Sequence, residues 1–153
     1  DIINKKIDVE TARRTIRLLK EAGIEVRIYI IMGLPGEPED IVERTWSFIE
    51  ETEPDMVALS LFTARPGTEV FSHPEKFGIK SLNADWDKTM HLHGRYSNET
   101  PSLTFEYQDQ TPWGKGFSPE RILANYADLQ ARLKEKGLGT VPLGDTNNKI
   151  LTC

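Results

Sequence analysis

The chain has 153 residues, 38% of them hydrophobic and 28% charged, enough for one ordinary domain or a piece of a larger one and far from a disordered composition. Its formal charge of −5, from 24 acidic against 19 basic residues, lends no support to a nucleic-acid surface, which needs a clustered excess of Lys and Arg. The single cysteine, Cys153, excludes an intramolecular disulfide and a thiolate zinc site within these residues.

Residues 8–22, DVETARRTIRLLKEA, carry Val9, Ala12, Ile16 and Leu19 at helical spacing, widened by Leu18 and Ala22. Asp8 suits the N-cap and Gly23 the left-handed position that ends a helix. EVRIYIIM, residues 25–32, is β-branched and almost continuously apolar, the pattern of a strand covered on both faces in a parallel sheet. Pro38 fits the first turn of a second helix with Ile41, Val42, Thr45, Phe48 and Ile49 inward, and Pro54 follows its end. DMVALSLF, residues 55–62, predicts a second strand, closed by TARPGTEVF. Helix, strand, helix, strand with short connections implies parallel strands and a right-handed crossover, hence an α/β layer fold or barrel.

Residues 72–116 sustain no period, and irregular chain with short strands or turns is expected there. FSPERILANYADLQARLKEKG restores a helix over 118–136, capped by Ser118, opened by Pro119 and Glu120, and stopped by Gly137. Its buried stripe is Ile122, Leu123, Tyr126, Leu129 and Leu133. The polar tail 140–153 is expected to fray. No apolar run nears the roughly 20 residues needed to span a bilayer, and no signal peptide opens the sequence. A cytoplasmic setting is therefore expected, and the start at Asp1 suggests a fragment of a longer polypeptide.

The stretch IYIIMGLPGEPED, residues 28–40, runs from the first strand into a glycine-proline turn. At the C-terminal edge of a parallel sheet such turns line the usual ligand crevice, and Gly33 and Gly36 permit positive φ and close backbone approach. The second strand ends similarly at Arg65-Pro66-Gly67-Thr68. On the residues alone two readings stay open: a tight βα corner, or a turn that faces a flat ligand. No phosphate-loop or GxGxxG pattern is present. His91 and His93 form an H-x-H pair that in a strand would point at one metal, with Asp85, Asp87 or Glu99 completing the set. An exposed or structural pair is the plainer account, and a substrate-facing imidazole is a third. Thr104 to Tyr107, with Trp86 and Trp113, either line a pocket or form a short strand under the last helix. Arg65 either meets a substrate carboxylate or makes a surface ion pair.

Asn4-Lys5, the Leu-Lys-x-Ala-Gly-Ile segment at 19–24, Gly33-Leu-Pro-Gly-Glu37 and Pro66-Gly67-Thr68-Glu69 occur in an order and spacing that carry a family likeness. With them, residues 3–71 resemble the second half of a radical S-adenosylmethionine (radical SAM) catalytic barrel. The likeness is nearest to the branch with a cobalamin-binding domain, which includes anaerobic magnesium-protoporphyrin IX monomethyl ester cyclase-like proteins. It implies an α/β fold: the second half of a partial (βα)6 TIM-like barrel over 1–71, then a C-terminal, mostly irregular plus helical extension over 72–139 with a flexible tail at 140–153.

The resemblance implies S-adenosylmethionine as cofactor, bordered by Ile31, Gly33 and Leu34 and by Phe62, Thr63 and Pro66, through apolar packing on adenine and backbone hydrogen bonds. It implies a 4Fe-4S cluster on a CxxxCxxC loop outside this chain, and cobalamin in a further domain. The expected chemistry is a 5′-deoxyadenosyl radical acting on a bulky small-molecule substrate, in a cyclase or methyltransferase, with methylthiotransferase as an alternative. Arg65, His91 and His93 are the substrate-side candidates, and the upstream part of the same polypeptide is the implied partner. Lacking the cluster cysteines, the chain alone is expected to be inactive. A non-catalytic half-barrel binding module and a different α/β metalloenzyme centred on His91 and His93 are the competing readings.

Overall fold

Asp8 opens the first helix, α1 (Val9–Glu21), by accepting a hydrogen bond from the Thr11 amide at 2.8 Å, which satisfies one N–H that the first turn leaves unpaired. The structure, a computed structural model, describes residues 7–83 and 103–139. Past the left-handed Gly23, β1 (Arg27–Met32) pairs parallel with β2 (Met56–Leu61), in register from Arg27 with Met56 to Met32 with Leu61. The intervening α2 (Ile41–Thr52) makes the crossover that a parallel pair requires. Beyond β2, α3 (Glu69–Ser72) and a short 3₁₀ helix at Pro74–Phe77 lead to β3 (Ile79–Leu82). That strand runs antiparallel to β4 (Phe105–Tyr107), with a register shift between Ile79 and Ser81. β5 (Gln110–Thr111) and β6 (Gly114–Lys115) form a minimal hairpin, and α4 (Pro119–Glu135) follows, its Ser118 cap accepting from the Arg121 amide. Mixed helix and strand content gives the α/β class.

The core falls into two apolar clusters, and α4 reaches both. Met32 from β1, Val57 from β2, Val42 and Ile49 from α2, and Leu129 and Leu133 from α4 form the first, under the sheet. Ile79, Phe105, Tyr107, Phe117 and Ile122 form the second, with Leu61 and Phe62 from the end of β2 packed against it. Arg132 adds a forked ion pair between helices, its Nη1 and Nη2 donating to Glu43 at 3.1 and 2.6 Å. Past α4 the chain returns to the sheet, where the Val57 amide donates to the Leu138 carbonyl at 2.9 Å and Val57 bridges Gly139 in parallel. That contact covers part of the outer edge of β2. Among the described residues β1 pairs with β2 alone.

Several expectations change. β1 is covered on one face only: Ile28, Ile30 and Met32 turn toward the helices, whereas Arg27, Tyr29 and Ile31 are exposed. α2 and α4 pack on the side of Met32 and Val57, while on the other side Tyr29 and Ile31 are exposed and Ala58 of β2 is buried. In α1 only Ile16 is fully buried, while Val9 and Leu18 are 53% and 54% exposed. Helical spacing marks an apolar stripe without saying whether a partner covers it. Pro38 lies before the helix rather than in its first turn, its carbonyl accepting from the Ile41 amide at 3.1 Å. Leu123 is half-buried, and Asn125 stands in the buried stripe of α4. Trp86, His91, His93, Asp85, Asp87, Glu99 and the tail 140–153 lie outside the described residues.

Leu129 is completely buried between sheet and helices, so Leu129→Ala should cost about 3 kcal/mol in a urea melt, through lost transfer energy and the cavity left behind. Val9→Ala, on the exposed part of the α1 stripe, should shift the same melt by less than about 0.5 kcal/mol.

Candidate functional site

The turn after β1 is built almost entirely from backbone held by side chains. Gly33 takes φ +87° and Gly36 φ +74°, conformations that a side chain makes costly. They turn the chain back so that Glu37 reaches the end of its own strand. One oxygen of its carboxylate accepts from the Gly33 amide at 2.8 Å and from the Leu34 amide at 3.0 Å. The Gly33 carbonyl is also engaged, accepting from the buried Tyr107 hydroxyl at 2.8 Å. Both polar groups of this peptide position are therefore satisfied by the chain itself, as buried backbone demands.

Tyr107 reaches the turn because β4 alternates. Phe105 and Tyr107 point inward and are buried, while Glu106 points outward and pairs with Lys80 at 3.1 Å. The Phe105 ring lies 4.9 Å from the Tyr107 ring and meets Phe62 edge-on at 5.4 Å, which ties the ends of β1 and β2 to β4. Gly33 leaves no room behind it, since a Cβ there would stand 3.0 Å from Ile122 Cγ2. Gly36 is tighter still, with its missing Cβ 2.6 Å from the Trp113 carbonyl. Glu39 completes the clamp, accepting from Lys115 at 2.9 Å and pairing with Arg121 at 3.2 Å.

Burial sets the electrostatics. It pushes the Glu37 carboxyl up from 4.5 to about 6, against the two amides that favour its charged form. Burial, then the nearby Glu37 charge, drives the Tyr107 phenol well above its usual value, so it stays a hydrogen-bond donor. The salt-bridged acid Glu39 moves the other way, held down first by its hydrogen bond to Lys115.

The expected cofactor residues share one end of the parallel pair. Ile31 is 41% exposed on the open face, Gly33 is buried, and Leu34, Phe62, Thr63 and Pro66 are half-buried. The Phe62 amide donates to the Met32 carbonyl at 2.7 Å, keeping the two strand ends side by side. Arg65 is exposed, and its carbonyl accepts from the Thr68 amide and hydroxyl at 3.1 and 2.6 Å. Glu37 takes the amides of Gly33 and Leu34 and Tyr107 takes the Gly33 carbonyl, so these backbone groups are engaged within the chain. A cleft of about 350 Å³ opens beside Tyr107 and Glu39, lined also by Lys80, Asp109, Lys115 and Arg121. None of the expected cofactor residues lines it, and its cations already face Glu39 and Glu106.

Curated proteins similar to this chain include three radical SAM enzymes. The anaerobic magnesium-protoporphyrin IX monomethyl ester cyclase of Rubrivivax gelatinosus is 28% identical over 82% of this chain and 20% of its own length. The tRNA-2-methylthio-N(6)-dimethylallyladenosine synthase of Treponema denticola is 33% identical over 87% of this chain and 34% of its own. The ribosomal protein uS12 methylthiotransferase RimO of Roseiflexus castenholzii is 29% identical over 87% and 30%. Its relatives are radical SAM enzymes. The chain spans between a fifth and about a third of the length of these relatives. No family model and no solved structure matches it.

The radical SAM cofactors fit these residues unequally. A 4Fe-4S cluster of this family is held by three thiolates, and the sequence has one cysteine, so this chain cannot supply them. Among the described residues, no group of three or more His, Cys, Asp or Glu is placed to hold a metal. At the strand end, by contrast, Ile31 is exposed and apolar. Sequence reasoning assigned no role to Glu37 or Glu39 and left Tyr107 between pocket wall and packing. The signal for Glu37 was its position four residues past Gly33, within reach of the strand-end amides. Nothing local could have paired Tyr107 with Gly33.

Glu37 gives a pH signature. Its folded pKa lies above the ordinary 4.5, so between about pH 4.5 and 6 the folded chain holds a proton that the unfolded chain has released. Its contribution to stability is full below pH 4.5 and is lost as pH rises through about 6, by roughly 2 kcal/mol. Glu37→Gln keeps an acceptor without the charge, so melts at pH 4.5 and 7 should show the variant gaining on the wild type by up to that amount. A separate pair of variants isolates the clamp on the turn. Gly23 and Gly36 share φ +74°, but a Cβ at Gly23 meets nothing within 4 Å. Gly23→Ala should cost about 1 kcal/mol and Gly36→Ala about 3 kcal/mol or more.

Proposed function

We propose that this chain is the C-terminal part of a radical SAM enzyme, with the strand ends of β1 and β2 forming one wall of the S-adenosylmethionine site. The observation that carries this reading is the Gly33–Glu37 turn at the C-terminal end of a parallel strand, side by side with the end of β2, in a chain whose relatives are radical SAM enzymes. When bound, S-adenosylmethionine supplies the radical chemistry of this family. The residues here hold it: Ile31 offers an apolar face to adenine, Gly33 keeps the strand end flat, and Phe62, Thr63 and Pro66 bound the site from β2. Tyr107, Ile122 and Trp113 back the turn and keep water from its buried side.

The sheet supports an incomplete (βα)6 TIM-like barrel, the upstream polypeptide adding its strands at β1. β2 meets Gly139 at its outer edge, while among the described residues β1 has a free edge and its Tyr29, 67% exposed, and Ile31 lie open. An edge and face of this kind call for further strands and an interior to fill. Residues 1–71 would then be barrel, and 72–139 an extension whose last helix serves the barrel core. The cluster cysteines belong upstream, so the chain alone is inactive. The relatives' names include both a cyclase and methylthiotransferases, so a bulky organic substrate and either reaction type fit, with Arg65 nearest in sequence to the wall. Cobalamin has no such support in the names of the three relatives above. No helix among the described residues is long and apolar enough to cross a membrane, and a reducing cytoplasm suits an iron-sulfur enzyme.

The test uses the full-length polypeptide that contains this chain, purified without oxygen and assayed for iron, sulfide and conversion of S-adenosylmethionine to 5′-deoxyadenosine. All three should be present in the full polypeptide and absent from residues 1–153 alone. A full-length product without cluster or cleavage would sink the proposal and leave a half-barrel binding module.

A further inference from the structure

The cofactor wall is held from behind by a segment far away in sequence. Residue Gly33 has a left-handed φ, its N–H is drawn to Glu37, and its carbonyl is drawn to the Tyr107 hydroxyl at 2.8 Å. The two forces act at the two ends of the residue that must stay flat against a ligand. Glu37 belongs to the turn itself and moves with it. Tyr107 does not: it sits on β4, which is fixed by pairing with β3 and by the edge-on contact of Phe105 with Phe62. The direction of the Gly33 carbonyl is thus referenced to the extension rather than to the strand.

We infer that Tyr107 is a positioning residue for the cofactor, fixing the Gly33 peptide so that the C-terminal extension sets the affinity of the enzyme for S-adenosylmethionine. The inference rests on the proposed radical SAM reading. A buried carbonyl that loses its donor pulls the turn toward conformations in which water can reach it. Ile122 Cγ2, 3.0 Å from the site of the missing Gly33 Cβ, leaves little space for small adjustments, so the turn would leave its place rather than relax within it. Cofactor affinity falls in proportion to the fraction of enzyme that keeps the competent turn. Tyr107 touches no reacting atom, so the rate at saturating cofactor should not depend on it.

In the full-length enzyme, Tyr107→Phe removes the hydroxyl and keeps the ring. The expected result is a KM for S-adenosylmethionine raised about fivefold, with kcat for 5′-deoxyadenosine formation unchanged. Hydrogen exchange should speed up in the peptide covering residues 31–38 and stay as it was over α2. Ile49→Val trims the other core cluster and serves as a stability control, lowering Tm without moving KM. A Tyr107→Phe enzyme with unchanged KM and unchanged exchange at the turn would overturn the inference, as would an equal rise in KM from Ile49→Val. If the wild-type enzyme neither binds nor cleaves S-adenosylmethionine, the underlying reading fails as well, and that failure shows in the wild type before any variant is made.

Discussion

The hydrogen bond from the Tyr107 hydroxyl to the Gly33 carbonyl joins residues 74 apart in sequence, and much else is arranged so that it can form. Gly33 must be glycine to hold its φ and to admit Ile122. Phe105 and Tyr107 must alternate inward on β4, which requires β3 beside it. α4 must begin where Ile122 meets the turn and continue until Leu129 and Leu133 meet the sheet. A neutral hydrogen bond adds only about 1 kcal/mol net, but a buried carbonyl left without a donor costs more. The bond therefore acts chiefly as a constraint on how the two halves of the chain may be placed.

α4 is what makes those halves one structure. Its first turns pack in the aromatic cluster behind the strand ends, and its last turns pack under β1 and β2. The surface ion pairs follow the same seams: Arg121 and Lys115 reach Glu39 in the turn, while Arg132 and Lys136 reach Glu43 and Glu50 on α2. Such exposed pairs contribute little individually, and the apolar clusters supply most of the stability. Their value is in register, since each joins α4 or the hairpin to one particular turn of the β1–α2 unit.

Local chemistry made the elements legible. Asp8 and Ser118 cap helices, the β-branched run of β1 forms a strand, and the alternation of elements gives a parallel pair. Burial was less legible, because an apolar residue states a preference and not its fulfilment. Val9, Leu18, Tyr29 and Ile31 have the pattern of covered residues and are exposed here. The candidate site was half legible. The glycines of the turn announced positive φ, but whether the freed amides would face a ligand or a carboxylate depended on Glu37 folding back, and the carbonyl's partner lay in a segment with no sustained period. Long-range contacts made by short strands leave almost no periodic trace.

The exposed residues on β1 and the engaged backbone at its end bear on the same question. A parallel strand buried on one face alone is an unusual resting state, since parallel sheets are generally covered on both. Among the described residues the exposed side chains on β1 are Arg27, Tyr29 and Ile31, and the unpaired edge belongs to the same strand, whereas β2 has a neighbour at Gly139. The asymmetry gives the unit a direction, and the proposed barrel would add its strands on the β1 side. The turn at Gly33 is meanwhile held by Glu37 on its amides and by Tyr107 on its carbonyl.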